Sequence, residues 1–237
     1  MLELRGVSKR YHDGESELRV LEAVDLQLAA GESLALLGAS GCGKSTLLQI
    51  AAGLEAPDTG SVRLLGLELV GASEPELAEL RRTRLGFVFQ AFNLLPGMDV
   101  RANVLFQRRL NALPDEDAWV RELVEGLELE PLLDRPVEVL SGGQQQRVAI
   151  ARALAHRPRV VFADEPTGNL HDSLSHRVMA LLVRLVEEAG SALLLVTHSR
   201  EMARYAQRAL RLEDGRLAAV SPDATPEMND GARDEAS

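Results

Sequence analysis

Residues 38–46 read GASGCGKST, and the fold of the chain follows from where this stretch sits. Gly38, Gly43, Lys44 and Ser45 fall at the fixed places of the phosphate-binding pattern G-x-x-x-x-G-K-[ST]. ESLALLG before it reads as a buried strand, and STLLQIAAGL after it reads as a helix. A glycine-rich turn between the two leaves backbone N–H groups pointing at an anion. The candidate phosphate-binding residues are therefore Gly38, Ala39, Ser40, Gly41, Cys42, Gly43, Lys44, Ser45 and Thr46. Lys44 can reach the outer phosphates as a point charge, and Ser45 offers a hydroxyl to Mg²⁺. A strand-to-helix turn without a ligand is the competing reading, and the register of the glycines, the lysine and the serine argues against it. Lys9 and Lys44 are the only lysines among 26 Lys and Arg, so a compact ammonium at position 44 is a matter of geometry.

Upstream, LELRGVSKRY and LEAVDLQLAAGESLALLG alternate apolar and polar residues and break at His12-Asp13-Gly14 and Ala30-Gly31, as strands joined by turns do. Downstream, Pro57-Asp58-Thr59-Gly60 introduces a strand pair in SVRLLGLEL. Ser73 and Glu76 form a capping-box pattern for the helix PELAELRRTR, and LGFVFQ is a short apolar strand ending in Gln90. Residues 91–100 are rich in breakers yet apolar, the mark of a docking surface. From there to Arg157 the pattern is helical, with Asp115 as the expected N-cap of DEDAWVRELVEGL and GGQQQRVAIARALAHR as a further helix. RVVFADEP returns to strand, SLSHRVMALLVRLVEEAG is an amphipathic helix closed by Gly190, and SALLLVTHS is another buried strand. Ser199 is the expected N-cap of REMARYAQ, and ALRLEDGRLAAV a hairpin turning at Asp214-Gly215. Strands alternating with helices predict an α/β fold with a largely parallel sheet covered on both faces. Residues 221–237 are acidic and without periodicity, which predicts a disordered tail.

Composition narrows the function. The chain of 237 residues is 46% apolar and 26% charged, enough for one sizeable globular unit. No apolar run reaches the length of a membrane span, and the N-terminus lacks a signal-peptide core, which predicts a cytoplasmic location. The single cysteine, Cys42, excludes an internal disulfide and a zinc cluster; its thiol is read either as activated at a helix N-terminus or as small filling in a tight turn. A net charge of −10 argues against nucleic acid as a partner.

Four polar positions end buried strands and so converge on one sheet edge, where ligands bind in such folds. Asp164 and Glu165 follow the apolar residues 160–163 in a Walker B pattern: Asp164 to hold Mg²⁺, Glu165 to orient and polarise the attacking water. Gln90 can contact the metal and the lytic water, and His198 can hydrogen-bond the γ-phosphate. Tyr11 has two readings, an adenine-stacking ring or a partly buried strand-end tyrosine. Leu140 to Arg147 read LSGGQQQR, in which a Ser-Gly-Gly turn opens a helix and makes a second anion site. One nucleotide on one chain has no use for it; two chains paired head to tail do.

GASGCGKST, Gln90, LSGGQQQR, VVFADEP and VTH, in this order, resemble the nucleotide-binding subunit of ABC transporters over about residues 1–220. LRRTRLGFVFQAFNLLP and FADEPTGNL are similar to the branch holding Lol-type lipoprotein-release and MacB-type export ATPases. The resemblance implies a P-loop NTPase (RecA-like) core with an N-terminal antiparallel β layer and an inserted all-α subdomain. Its divisions would be 1–90 for the β layer and first half of the core, 91–157 for the helical subdomain and 158–220 for the second half. It implies Tyr11 on adenine, residues 38–46 on the phosphates, and Ser45, Gln90 and Asp164 at Mg²⁺. Glu165 would be the catalytic base and His198 the γ-phosphate switch, with Lys44 and Gln90 assisting. Ser141, Gly142, Gly143 and Gln144 would meet the partner's nucleotide. The implied assembly is a homodimer sandwiching ATP, bound to an integral membrane permease at the cytoplasmic face of the inner membrane.

Two positions depart from the family pattern. His171 follows Gly168-Asn169-Leu170 where Asp is usual, and Ser199 follows the switch histidine where Asp is common. The competing functions are a soluble ABC-type ATPase, such as one serving iron–sulfur assembly, and a non-hydrolysing ATP-binding scaffold suggested by His171 alone.

Overall fold

The computed structural model describes residues 1–13 and 16–220; the expected tail at 221–237 and Gly14 of the first predicted turn lie outside the described residues. Five strands form the parallel core: β3 (Ser33–Leu37), β6 (Leu85–Phe89), β7 (Val160–Asp164), β8 (Ala192–Thr197) and β9 (Arg208–Glu213). With β10 (Arg216–Val220) antiparallel on β9, the sheet order is β10-β9-β3-β8-β7-β6. The apolar runs LALL, VVFA and ALLLV stand here because their side chains alternate between two packed faces. Leu34, Leu36, Phe162, Leu194 and Val196 enter one core, and Ala35, Leu37, Val161, Leu193 and Leu195 enter the other.

The first core is closed by the predicted β layer. β1 (Leu2–Asp13) and β2 (Ser16–Leu28) pair antiparallel, and β4 (Thr59–Leu64) with β5 (Leu67–Glu68) extends them in the order β2-β1-β4-β5. Helix α1 (Lys44–Ala51) lies between this layer and the parallel sheet, and Leu47, Leu48 and Ile50 are buried there. α2 (Glu74–Arg84) begins as the capping box predicts, the Ser73 N–H donating to the Glu76 carboxylate at 2.9 Å.

The second core is closed by α3 (Val100–Leu110), α4 (Ala118–Gly126), α5 (Gly142–Leu154) and α6 (Asp172–Glu188). Trp119, the only tryptophan, anchors this side. It is 1% exposed, its indole N–H donates to the Leu154 carbonyl at 2.9 Å, and the Arg157 guanidinium lies 5.0 Å from its ring centre. α4 is capped by Asp117, whose Oδ1 accepts from the Val120 N–H, and not by the expected Asp115. The reason is a pair of arginines: buried Arg108 holds Asp117 at 2.9 Å, while Arg109 holds Asp115 at 2.8 Å and keeps it outside the helix. Ser199 caps α7 (Arg200–Ala203) as expected, but the helix stops short of REMARYAQ. Gln207 leaves it to pair with Ser33, its N–H donating to Ser33 Oγ at 3.0 Å as the chain enters β9.

His171 occupies the N-cap position of α6 without a side-chain bond to the first turn. His171→Asp is expected to stabilise the fold by about 1 kcal/mol, read as a higher urea midpoint at unchanged slope. An unmoved midpoint would show that water already satisfies those N–H groups.

His156 is 7% exposed, and its Nε2 lies 3.0 Å from the Leu85 carbonyl oxygen. Burial lowers its pKa to about 4, opposed by the Leu85 carbonyl and reinforced by Arg108. The unfolded chain therefore binds a proton that the folded chain refuses between pH 6.5 and about 4. Stability from this group is complete above pH 6.5 and falls by roughly 3 kcal/mol on acidification through that window. The fall in urea midpoint from pH 7 to pH 4.5 should be smaller in His156→Gln than in the parent; an equal fall would remove His156 as the cause.

Candidate nucleotide-binding site

β3 ends at Leu37, and residues 38–43 turn the chain into α1 through left-handed conformations at Gly41 and Gly43. Gly43 has φ of 100°, and a Cβ there would lie 2.5 Å from Val20 Cγ1 and 3.0 Å from the Val20 carbonyl oxygen. At Gly38 a Cβ would meet the Leu212 carbonyl oxygen at 2.7 Å and Cys42 Sγ at 2.6 Å. Cys42 is half-buried and packs against the first core. α1 starts with no side-chain cap, so its first N–H groups have no side-chain acceptor of their own. Lys44, 6% exposed, folds its Nζ onto the carbonyls of Gly38 and Ala39 at 2.9 and 2.7 Å.

The neighbouring strand ends bring the predicted carboxylates to this loop. Ser45 Oγ donates to Asp164 Oδ1 at 3.3 Å across 119 residues of sequence. Burial raises the Asp164 carboxyl above its ordinary range; the Ser45 hydroxyl and the Lys44 ammonium oppose this, and the Glu165 carboxylate adds to it. A divalent cation between Ser45 and Asp164 would reverse that shift, so the hydroxyl, the carboxylate and the glycine cradle fit a metal–triphosphate. Glu165 sits one residue past β7 with φ of 45°, a left-handed conformation fixed by its N–H donating to the Val196 carbonyl at 2.9 Å. Its Oε1 accepts both the His198 backbone N–H and His198 Nδ1 at 2.8 Å. An ionised carboxylate only accepts, so Nδ1 carries a proton and Nε2 stays outside this bond.

Gln90, exposed just past β6, is held by a residue that neither spacing nor periodicity singles out. Asn169 Nδ2 donates to the Gln90 carbonyl at 2.8 Å, and Gln90 Nε2 lies 3.4 Å from Asn169 Oδ1. Gly168 makes room for this, since a Cβ there would stand 2.8 Å from Gln90 Nε2. Tyr11 is 38% exposed near the end of β1, its hydroxyl 2.8 Å from both Glu55 carboxylate oxygens and its ring 5.5 Å from Lys9 Nζ. Both sequence readings of this ring survive: it is a strand-end tyrosine, and part of it stays open.

The turn read from sequence as a second anion site lies elsewhere on the chain. Ser141 caps α5, and Gln144 Oε1 folds back to accept the Ser141 N–H at 2.9 Å. Ser141 and Gly142 are exposed, while a Cβ on buried Gly143 would meet Leu174 Cδ2 at 2.4 Å. The other neighbours of this turn are Phe92 and Leu170, 3.7 and 3.9 Å from a Cβ built on Gly142. α5 packs on α3, α4, α6 and β6, whereas α1 packs on β4, β7 and β8.

A phosphate loop after an inner strand of a parallel sheet, with a hydroxyl–carboxylate pair and a glutamate–histidine pair on one edge, defines a P-loop NTPase. Residues 21–168 match the ABC transporter family. The lipoprotein-releasing system ATP-binding protein LolD of Ruegeria sp. (strain TM1040) is 44% identical over 219 residues, covering 91% of this chain and 96% of LolD. The macrolide export ATP-binding/permease protein MacB of Azoarcus sp. (strain BH72) is 42% identical over 229 residues, 96% of this chain. The chain spans only 35% of that MacB. Among solved structures, the dimeric post-hydrolysis state of the ATP-binding cassette MJ0796 bound to ADP and Pi superposes with a TM-score of 0.83 at 36% identity. That match covers 92% of this chain and 98% of the other. The chain belongs to the ABC transporter family, as one of its ATPase cassettes.

Proposed function

We propose that this cassette hydrolyses ATP only as a head-to-tail pair and that the cycle drives a separate membrane permease of the exporter or lipoprotein-release kind. The observation that carries the reading is the separation of two anion-binding helix starts. Residues 38–46 have the strand-end carboxylates beside them, while the exposed Ser141 and Gly142 turn packs against Phe92 and Leu170. In a pair, each turn at Ser141 closes over the nucleotide on the other chain's loop, with Gly142, Gly143 and Gln144 shaping it. Residues 91–157 act as the subdomain that delivers it.

Within one half-site the chain's residues divide the work. The N–H groups of residues 38–46 and Lys44 hold the phosphates, and Tyr11 offers its open ring to the adenine. Ser45, Asp164 and Gln90 would ligate Mg²⁺, which on binding neutralises charge developing on the phosphates. Glu165 would take the proton of the attacking water at a carboxylate oxygen, and His198, as the imidazolium with Nδ1–H kept on Glu165, would donate from Nε2–H to the γ-phosphate. Glu165 and His198 already share a hydrogen bond, so the base and the phosphate contact are oriented as one unit.

The permease contact is proposed at a cleft of about 170 Å³ lined by Phe87, Phe89, Leu95, Phe106, Arg152 and His156, among others. Leu95 of the apolar stretch 91–100 lines it, and Met98 of the same stretch is 39% exposed. Among the described residues no helix is long and apolar enough to cross a membrane. On this reading the chain is peripheral on the cytoplasmic face of the inner membrane.

The pairing is tested by light scattering with ATP in the absence of Mg²⁺. The parent chain should double in mass, and Ser141→Arg, altered at an exposed position, should bind ATP yet stay single. A Ser141→Arg chain that pairs and turns over normally would end the head-to-tail reading.

A further inference from the structure

Immediately beyond Gln90 the backbone does something costly. Phe92 and Asn93, neither of them glycine, take successive left-handed conformations with φ of 59° and 48°. The turn is closed locally by the Phe92 N–H donating to the Phe89 carbonyl at 3.2 Å and the Asn93 N–H to the Ala91 carbonyl at 2.6 Å. Those bonds leave the carbonyls of Phe92 and Asn93 free, and both are taken by one side chain from α5. Arg152 Nη1 donates to Asn93 O at 2.5 Å and Nη2 to Phe92 O at 3.0 Å. Both of its hydrogen bonds go to carbonyl oxygens, so the forked guanidinium here reads backbone shape where it would more often meet a carboxylate.

We propose that Arg152 is a positioning residue for hydrolysis: from α5, it locks the left-handed pair Phe92 and Asn93 and thereby sets where Gln90 stands at the metal edge. The proposal rests on the reading of Gln90 as a ligand of metal and water. Gln90 is then held from two sides, by Asn169 on its own carbonyl and by Arg152 through the turn that follows. Arg152 also lines the cleft proposed for the permease, so it is reached from the docking side. A strained turn held by a neighbouring helix is the arrangement expected where backbone geometry serves a site.

The test is a double-mutant cycle on the full-length chain with R152M, R152K, Q90A and the doubles. It measures kcat and KM for ATP, the Mg²⁺ concentration giving half-maximal turnover, and the thermal midpoint. R152M, which keeps bulk but cannot donate, should lower kcat about tenfold to a hundredfold with KM for ATP within about threefold, and should raise the Mg²⁺ requirement. R152K should recover part of the loss. In the Q90A background, R152M should cost less than about a further twofold. Unchanged kcat in R152M, or costs that multiply in the double mutant, overturns the proposal while leaving Gln90's role intact. A silent Q90A overturns the reading of Gln90 and the proposal with it. Should R152M lose its thermal transition, the cycle is read from R152K, where unchanged turnover or full multiplication of costs likewise overturns the proposal.

Discussion

Glu165→Gln is expected to lower steady-state ATP hydrolysis by about a hundredfold to ten-thousandfold, the range a positioned general base contributes. The amide is the same size as the carboxylate, and its oxygen can still accept the His198 N–H that Glu165 Oε1 accepts at 2.8 Å. The left-handed backbone at Glu165 is fixed by the bond to Val196, not by the side chain, so the fold should survive unchanged. What disappears is the ability to take a proton from water. ATP should therefore bind with near-normal affinity, and the paired form, trapped before hydrolysis, should accumulate at double mass. Phosphate release measured beside light scattering decides the matter. Turnover within a few fold of the parent would assign the base elsewhere.

Lys44→Met should remove nucleotide binding outright. Lys44 Nζ is anchored on the Gly38 and Ala39 carbonyls, and at 6% exposure its charge is placed at the floor of the loop with little competition from water. At an ATP concentration a hundred times the dissociation constant, the parent gains about 2.7 kcal/mol, which for a domain of this size raises the melting temperature by roughly 5–10 °C. Lys44→Met should show no such rise, while melting without ATP near the parent value. Lys44→Arg should fare little better, because a planar fork cannot replace a compact ammonium between two carbonyls. An ATP-dependent rise retained in either variant would remove Lys44 from the binding site.

The parallel core was readable because its strands are buried on both faces, so LALL, VVFA and ALLLV appear as unbroken apolar runs. Their polar terminators were readable for the same reason: Gln90, Asp164, Glu165 and His198 stand where burial ends. Contacts between distant residues were not. The bond from Glu165 to His198 crosses 33 residues, and that from Asn169 to Gln90 crosses 79. Neither leaves a periodic trace. Local chemistry was ambiguous where several residues could play one part. Asp115 and Asp117 both suit an N-cap, and only the placement of Arg108 and Arg109 chooses between them. The early end of α7 likewise depends on Ser33, 174 residues away from Gln207.

Trp119 gives the molecule a built-in optical reporter. With no second tryptophan in the chain, ultraviolet emission excited selectively at indole arises from one ring. That ring is sealed beneath α5, bonded to Leu154 and flanked by a guanidinium. Emission colour and quenching thus follow the helical side of the molecule alone. A titration with ATP, followed without any label, would record whether filling the phosphate loop is felt across the sheet, in the part of the chain that offers Ser141 to a partner.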